Sequence, residues 1–101
     1  MKTIVKLAAI TAIMMLSMNV QAGDVAAGKA KSGTCTSCHG MNGKTMNPNY
    51  PNLAGQNANY LVTAIKDYKN GNRKNALMGS MVSALSDTDI DDIAAYYSSL
   101  K

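Results

Sequence analysis

Apolar residues gather in four stretches separated by polar and glycine-rich chain. The first, Leu7 to Met18, is a near-continuous apolar run with Lys2 and Lys6 ahead of it and Val20-Gln21-Ala22 behind. A positive start, a short apolar middle and a small-x-small end make a secretory signal peptide over residues 1–22, cleaved before Gly23. The run is short for a comfortable membrane span, although an uncleaved anchor is the alternative. Gly23 and not a cysteine stands immediately after the cleavage site, so a lipid anchor is not indicated. Residues 23–101 are then one small domain.

In that domain the remaining stretches carry helical spacing. Asp24 is placed to cap a helix over Val25 to Ser32, stopped by Gly33. Gly28 within it offers a place for another helix to cross closely, or is simply a tolerated glycine. Asn57 can cap a second segment, where Tyr60, Leu61, Ala64, Ile65 and Tyr68 recur at helical spacing until Asn70-Gly71-Asn72. A short apolar piece runs from Met78 to Leu85. Ser86-Asp87-Thr88-Asp89 resembles a capping box with Asp in the place of Glu or Gln. The last helix sets Ile90, Ile93, Ala94, Tyr97 and Leu100 on one stripe, with four aspartates in its first half favouring the helix dipole. No strand pattern appears. The expected fold is all-α, with three main helices and a short one near Met78.

Gly40 to Gln56 is rich in Gly, Asn and Pro and reads as an ordered loop. So long a loop without regular structure is unusual in a small domain and calls for something to cover. The domain's aliphatic core is also thin, and the chain has no Phe or Trp. Domains of this size generally need a staple.

Cys35-Thr36-Ser37-Cys38-His39 supplies one. Two thiols three apart with an adjacent imidazole form the attachment signature of a c-type haem. Each cysteine adds to one vinyl group, and His39 turns its imidazole toward the iron. The same C-x-x-C serves zinc sites, but His39 is the only histidine and there is no third cysteine. That leaves three such ligands for a tetrahedral ion. A thioredoxin-like site would need a βαβ pattern. A covalently tied macrocycle would supply both the missing core and the object under the loop. Pro48, nine residues after His39, has a carbonyl that could accept the His39 Nδ1 proton and leave Nε2 for iron. On the residues alone it reads more simply as a turn proline.

Charge then excludes one class. Ten Lys and Arg against six Asp make the whole chain +4, but losing Lys2 and Lys6 with the signal lowers this to +2. Two haem propionates would bring it near zero, so nucleic-acid binding is not supported. Lys66, Lys69, Arg73 and Lys74 form a local basic cluster, read either as solvated surface or as a docking patch.

Met41, Met46, Met78 and Met81 are the methionines beyond the signal. Met41 and Met46 follow His39 too closely to reach the opposite haem face without wrapping the ring edge at once. Met78 and Met81 have the chain length to do so, and spacing does not separate them. Either could instead be a core methionine.

Taken together, Gly23-Asp24-Val25 with Gly28, Cys35 to Gly40, Pro48 to Gln56, and Leu85-Ser86-Asp87 leading to Asp92–Tyr97 resemble a class I c-type cytochrome. The likeness is to one half of the two-haem, two-domain periplasmic cytochromes. The resemblance implies one covalent haem c wrapped by helices, with the terminal helices crossing. It matches Pro48 to the proline that receives the histidine proton, and it selects Met78, seven residues before Leu85-Ser86, as the second axial ligand. One departure is Ser32, where many members carry an aromatic at the helix crossing; Tyr96 or Tyr97 would have to fill that space.

The expectation is a periplasmic one-electron carrier, monomeric and not an enzyme, that docks transiently with redox partners. It would be neither an integral membrane protein after processing nor a nucleic-acid binder. Two other readings stand: a fixed electron-accepting subunit of a periplasmic dehydrogenase, or a haem ligand sensor if the methionine bond is labile.

Overall fold

The computed structural model describes residues 23–101; the signal peptide expected over residues 1–22 lies outside them. Within these residues the chain forms α1 (Val25–Lys31), α2 (Thr36–His39), α3 (Ala58–Asn70), α4 (Ala76–Val82) and α5 (Asp87–Ser99), and no strand. A 3₁₀ turn at Ser32–Thr34 carries α1 directly into Cys35.

The helix starts follow from short polar side chains that accept otherwise unpaired amides. Asp24 Oδ1 accepts from the Ala26 and Ala27 amides at 2.9 and 3.2 Å. Asn57 Oδ1 accepts from Tyr60 N, and Asn75 Oδ1 from Met78 N, each at 3.0 Å. The capping box before α5 closes both ways: Ser86 Oγ accepts from Asp89 N at 3.0 Å and Asp89 Oδ2 from Ser86 N at 2.9 Å.

Three contacts organise the layers: α1 lies across α5, and α3 packs on α5 and also on α4. Leu61, Ile93, Ala94, Tyr96 and Tyr97 form the buried core, with Cys35, Leu53, Ile65, Leu85 and Leu100 against it. The α5 stripe is buried as its spacing predicts. The α3 stripe is rotated: Tyr60 is half-exposed while Val62 joins the core margin.

The α1–α5 crossing is close because Gly28 has no side chain. A Cβ there would overlap the Asp92 carbonyl and press on Tyr96 Cβ. The open question about Gly28 is thus answered as a close crossing. Ser32 is buried on the same helix, and the Tyr96 and Tyr97 rings, both buried, meet at a tilt with 5.0 Å between centroids.

Asp92 is also buried, against the usual preference of a carboxylate. It is compensated from both ends of α1: Oδ1 accepts from the Asp24 amide at 2.8 Å, and Oδ2 meets Lys31 Nζ at 2.7 Å. Lys31 also reaches Asp89 at 2.9 Å.

This latch sets a pH dependence. The Asp24 amide, then Lys31, holds the Asp92 carboxyl below its ordinary value. The Ser86 amide, then Lys31, lowers Asp89 to about 2. Asp92, then Asp89, raises Lys31. Depressed carboxylates contribute stability above their unfolded value of about 3.9 and lose it as pH falls through the folded value. A raised lysine contributes below its unfolded value of about 10.4 and loses it as pH climbs through the folded one. Melting followed by circular dichroism from pH 2 to 7 should show Asp92→Asn well below wild type at neutral pH, with the two converging toward pH 2. Parallel curves across the range would remove the latch from the account.

Candidate haem-binding site

The turn that carries the motif is built by its own backbone. Cys35 N donates to Ser32 O at 2.9 Å, closing the 3₁₀ turn, and His39 N donates to Cys35 O at 2.9 Å. Cys35 thereby precedes α2, and Cys38 and His39 follow it three and four positions later, which makes them neighbours on one helical surface. Both thiols are free. Their surroundings differ. Cys35 packs against the core, and burial pushes its thiol above the ordinary value. Cys38 borders an open groove of about 350 Å³ shared with Met41, Lys44, Met46 and Tyr50.

His39 is 6 % exposed, and its Nδ1 lies 2.8 Å from the Pro51 carbonyl oxygen. A carbonyl only accepts, so Nδ1 carries the proton and the Nε2 lone pair is left for a metal. The expectation for Pro48 is therefore corrected: Pro51 is the partner. Pro48 occupies the first corner of a turn in which Tyr50 N donates to Asn47 O at 3.1 Å, a position proline favours, and it is exposed. The turn spends Pro48 on direction reversal and delivers Pro51 to the histidine. Asn47 before it and Asn49 after it were the signal for that turn. The Tyr50 ring also lies 6.3 Å from the imidazole, a neighbour the sequence did not suggest.

The loop that holds Pro51 is ordered by side chains that satisfy its backbone. Gly43 O accepts from Leu53 N and Ala54 N at 2.7 and 3.0 Å. Asn52 Oδ1 accepts from Thr45 N at 2.7 Å, and Asn47 Oδ1 from Asn49 N at 2.9 Å. Gly55 N is anchored to Tyr97 O on α5 at 2.9 Å.

These residues fit a covalently attached haem. Two unpaired thiols precede a buried imidazole whose tautomer is set, and no cluster of three His, Cys, Asp or Glu able to hold a bare metal ion occurs among the described residues. Cys35, Cys38 and His39 are one donor short of a closed tetrahedral zinc site. Cys35 and Cys38 would tether the ring and His39 would hold its iron.

Met78 stands on α4, half-buried, one helical turn from Met81, which is 46 % exposed. Met41 and Met46 sit on the loop, 81 % and 100 % exposed. The structure thus joins Cys35, Cys38, His39 and Pro51 in one cluster, and sets Met78 on a separate element whose packing partner is α3. No helix among the described residues is long and apolar enough to cross a membrane.

Comparison with known proteins agrees with this chemistry. A family model described as cytochrome c matches residues 25–101. Cytochrome c-554(548) of Halomonas halodenitrificans is 58% identical over 81 residues, covering 77% of this chain and 98% of that protein. The crystal structure of reduced recombinant cytochrome c4 from Pseudomonas stutzeri superposes with a TM-score of 0.76 at 44% identity, covering 79% of this chain and 47% of that one. A thiosulfate dehydrogenase electron acceptor of Stutzerimonas stutzeri is 36% identical over 69 residues, 65% of this chain and 32% of that protein. The chain therefore spans nearly all of the first relative and less than half of the other two.

The two prolines separate by experiment. Pro51→Ala releases the backbone that presents the carbonyl, so the His39 Nδ1 proton should exchange faster by roughly two- to ten-fold, the worth of one hydrogen bond. Pro48→Ala should leave that exchange unchanged. Proton NMR of the ring N–H reads both, and an effect at Pro48 alone would return the role to it.

Proposed function

The chain belongs to the cytochrome c family, and from that premise we propose that it is a periplasmic one-electron carrier and not an enzyme. The observation that carries the reading is His39, buried directly after the two attachment thiols with its Nδ1 proton engaged by Pro51. Bound haem c supplies a one-electron iron couple. Cys35 and Cys38 would hold the ring by thioethers, and His39 Nε2 would bind its iron. A hydrogen-bonded Nδ1–H makes Nε2 a stronger donor and fixes the ring's orientation.

Met78 would be the second ligand to that iron. Its support is comparative: Met41, Met46 and Met81 are the more exposed methionines, and the Met78 amide is pinned by Asn75 at the start of α4. A thioether donor would favour reduced iron, and an iron held by both His39 and Met78 would offer no place to a substrate.

Partners would meet the segment from Tyr60 to Met81. Tyr60, Leu77 and Met81 are exposed there, amid the basic cluster. Two of its cations have structural duties: Lys69 donates to Leu85 O, and Arg73 lies 4.8 Å over the Tyr68 ring and reaches Tyr60 Oη at 3.4 Å. Lys66 is only loosely paired, 3.9 Å from an exposed Asp87, and Lys74 is exposed. These two are free to steer an acidic partner.

A second reading, a cytochrome held by one dehydrogenase, is favoured by the likeness to the thiosulfate dehydrogenase electron acceptor. It predicts a stoichiometric complex surviving gel filtration, whereas a shuttle dissociates.

Met78→Ala should open the iron to added imidazole or cyanide, remove the sulfur-to-iron charge-transfer band of the oxidised protein and lower the midpoint potential. Met81→Ala should keep the band. The reverse pattern would move the ligand to Met81. Lys66→Glu with Lys74→Glu should slow reduction by an acidic donor roughly ten-fold at low salt, with the difference shrinking as salt rises. Stopped-flow rates indifferent to both charge and salt would make the cluster ordinary surface.

A further inference from the structure

Four cations stand close together in sequence from the end of α3 to the start of α4, and only Lys66 and Lys74 are free for a partner. The other two tie α4 to α3 at both of its ends. Ahead of α4, Arg73 N donates to Asp67 O at 3.0 Å, while the guanidinium lies 4.8 Å over the Tyr68 ring and reaches Tyr60 Oη at 3.4 Å. Behind α4, Lys69 Nζ donates to Leu85 O. Leu85 itself closes the turn that leaves α4, its amide donating to Val82 O at 3.1 Å.

The helix between these ties needs them. It has seven residues with a glycine near its centre, too short to persist without tertiary support. Its packing partner is α3. A Cβ on Gly79 would stand 3.5 Å from Tyr68 O, so the backbone of α4 runs close to the last turn of α3. Leu77 and Met81 are half-exposed, and Val82 is the one buried residue of α4. Asn75 orders the first turn through the Met78 amide. A cap of this kind fixes where a helix begins, not which way it faces. Orientation has to come from bonds between elements, and Arg73 and Lys69 supply them.

We propose that Lys69, together with Arg73, is a positioning residue for the second iron ligand, clasping α4 on α3 and so fixing where Met78 stands. The inference rests on the Met78 reading above. Lys69 is the sharper test of the two, because its side chain alone makes the tie, whereas Arg73 also acts through its main chain. An added ligand that competes with Met78 binds in proportion to the fraction of chains whose thioether has let go. Loss of one hydrogen bond from the clasp therefore appears as tighter binding of the competitor. The basic cluster is thereby divided: Lys66 and Lys74 face partners, and Lys69 and Arg73 hold the ligand arm.

Lys69→Met keeps the aliphatic stem and removes the donor. The oxidised holoprotein should be titrated with imidazole and followed by haem absorption, with circular dichroism alongside. The expected result is wild-type helicity and an imidazole affinity raised roughly two- to ten-fold. Lys69→Arg, which keeps a donor, should bring the affinity back toward wild type. Lys66→Met removes a charge from the same helix without cutting a tie to α4, and should leave the affinity unchanged. In a Met78→Ala background Lys69→Met should change nothing further. Unchanged imidazole affinity in Lys69→Met would overturn the proposal. So would an equal gain in Lys66→Met, which marks loss of charge alone, or an equal gain in the Met78→Ala background, which marks an effect that bypasses Met78. The single variant Met78→Ala tests the reading beneath. If it keeps the sulfur-to-iron charge-transfer band, the ligand assignment fails and this role fails with it. If it loses the band while Lys69→Met behaves as wild type, only the role of Lys69 is refuted.

Discussion

The rest of the fold depends on how closely α1 can lie on α5. That distance is set by Gly28, which lets the Asp92 carbonyl approach, and by the Asp92 carboxylate, which ties both ends of α1. A buried carboxylate is costly unless its lone pairs are occupied. Here an amide and an ammonium occupy them, and both belong to α1 or its cap. The geometry is consequently specific: sliding α1 by one residue would strand Asp92 and drive a side chain into its carbonyl. Because the 3₁₀ turn follows α1 without a break, fixing α1 also fixes where Cys35 emerges.

The second half of the site is positioned by a loop with almost no apolar content of its own. Its asparagines bond to nearby amides, which stiffens the chain without requiring a core. Its end is fastened to α5 through Gly55 and Tyr97. The two parts of the haem turn are thus referred to the same helix, Cys35 through α1 and His39 through Pro51. A small domain with few large aliphatic residues can hold an imidazole this way, because backbone hydrogen bonds replace missing packing.

Much of this was legible. Caps at Asp24, Asn57 and Ser86, the α5 stripe and the Cys35–His39 motif all act through neighbours in sequence, so local rules reach them. What local rules missed involves residues far apart in the chain. Asp92 reads only as one of four aspartates favouring the helix dipole, because its partners lie 68 and 61 positions away. Tyr60 fits a helical stripe, yet it is turned outward, where Arg73 meets it. The Pro48 expectation failed for a subtler reason. Both prolines have a free carbonyl, and only the turn chemistry of Asn47-Pro48-Asn49-Tyr50 decides which one is spent on the turn. The family resemblance ran through both prolines and assigned the role to Pro48, three residues short of the carbonyl that fills it.

The relatives divide in a way that the structure makes intelligible. Nearly the same unit makes up almost the whole of one cytochrome, less than half of another, and about a third of an electron acceptor for an enzyme. A unit can be reused like this only if the groups that hold its cofactor do not depend on what lies outside it. That condition is met here for His39, whose fixing group is twelve residues along the same loop, and for Cys35, whose surroundings are α1 and α5. Partner choice must then be carried by surface that the interior does not need. The exposed stretch from Tyr60 to Met81 qualifies only in part, since Lys69 and Arg73 also brace α3 and the start of the final turn before α5. Variation that retunes docking is therefore expected at Lys66, Lys74, Leu77 and Met81, where charge and apolar area can change while the cradle stays as it is.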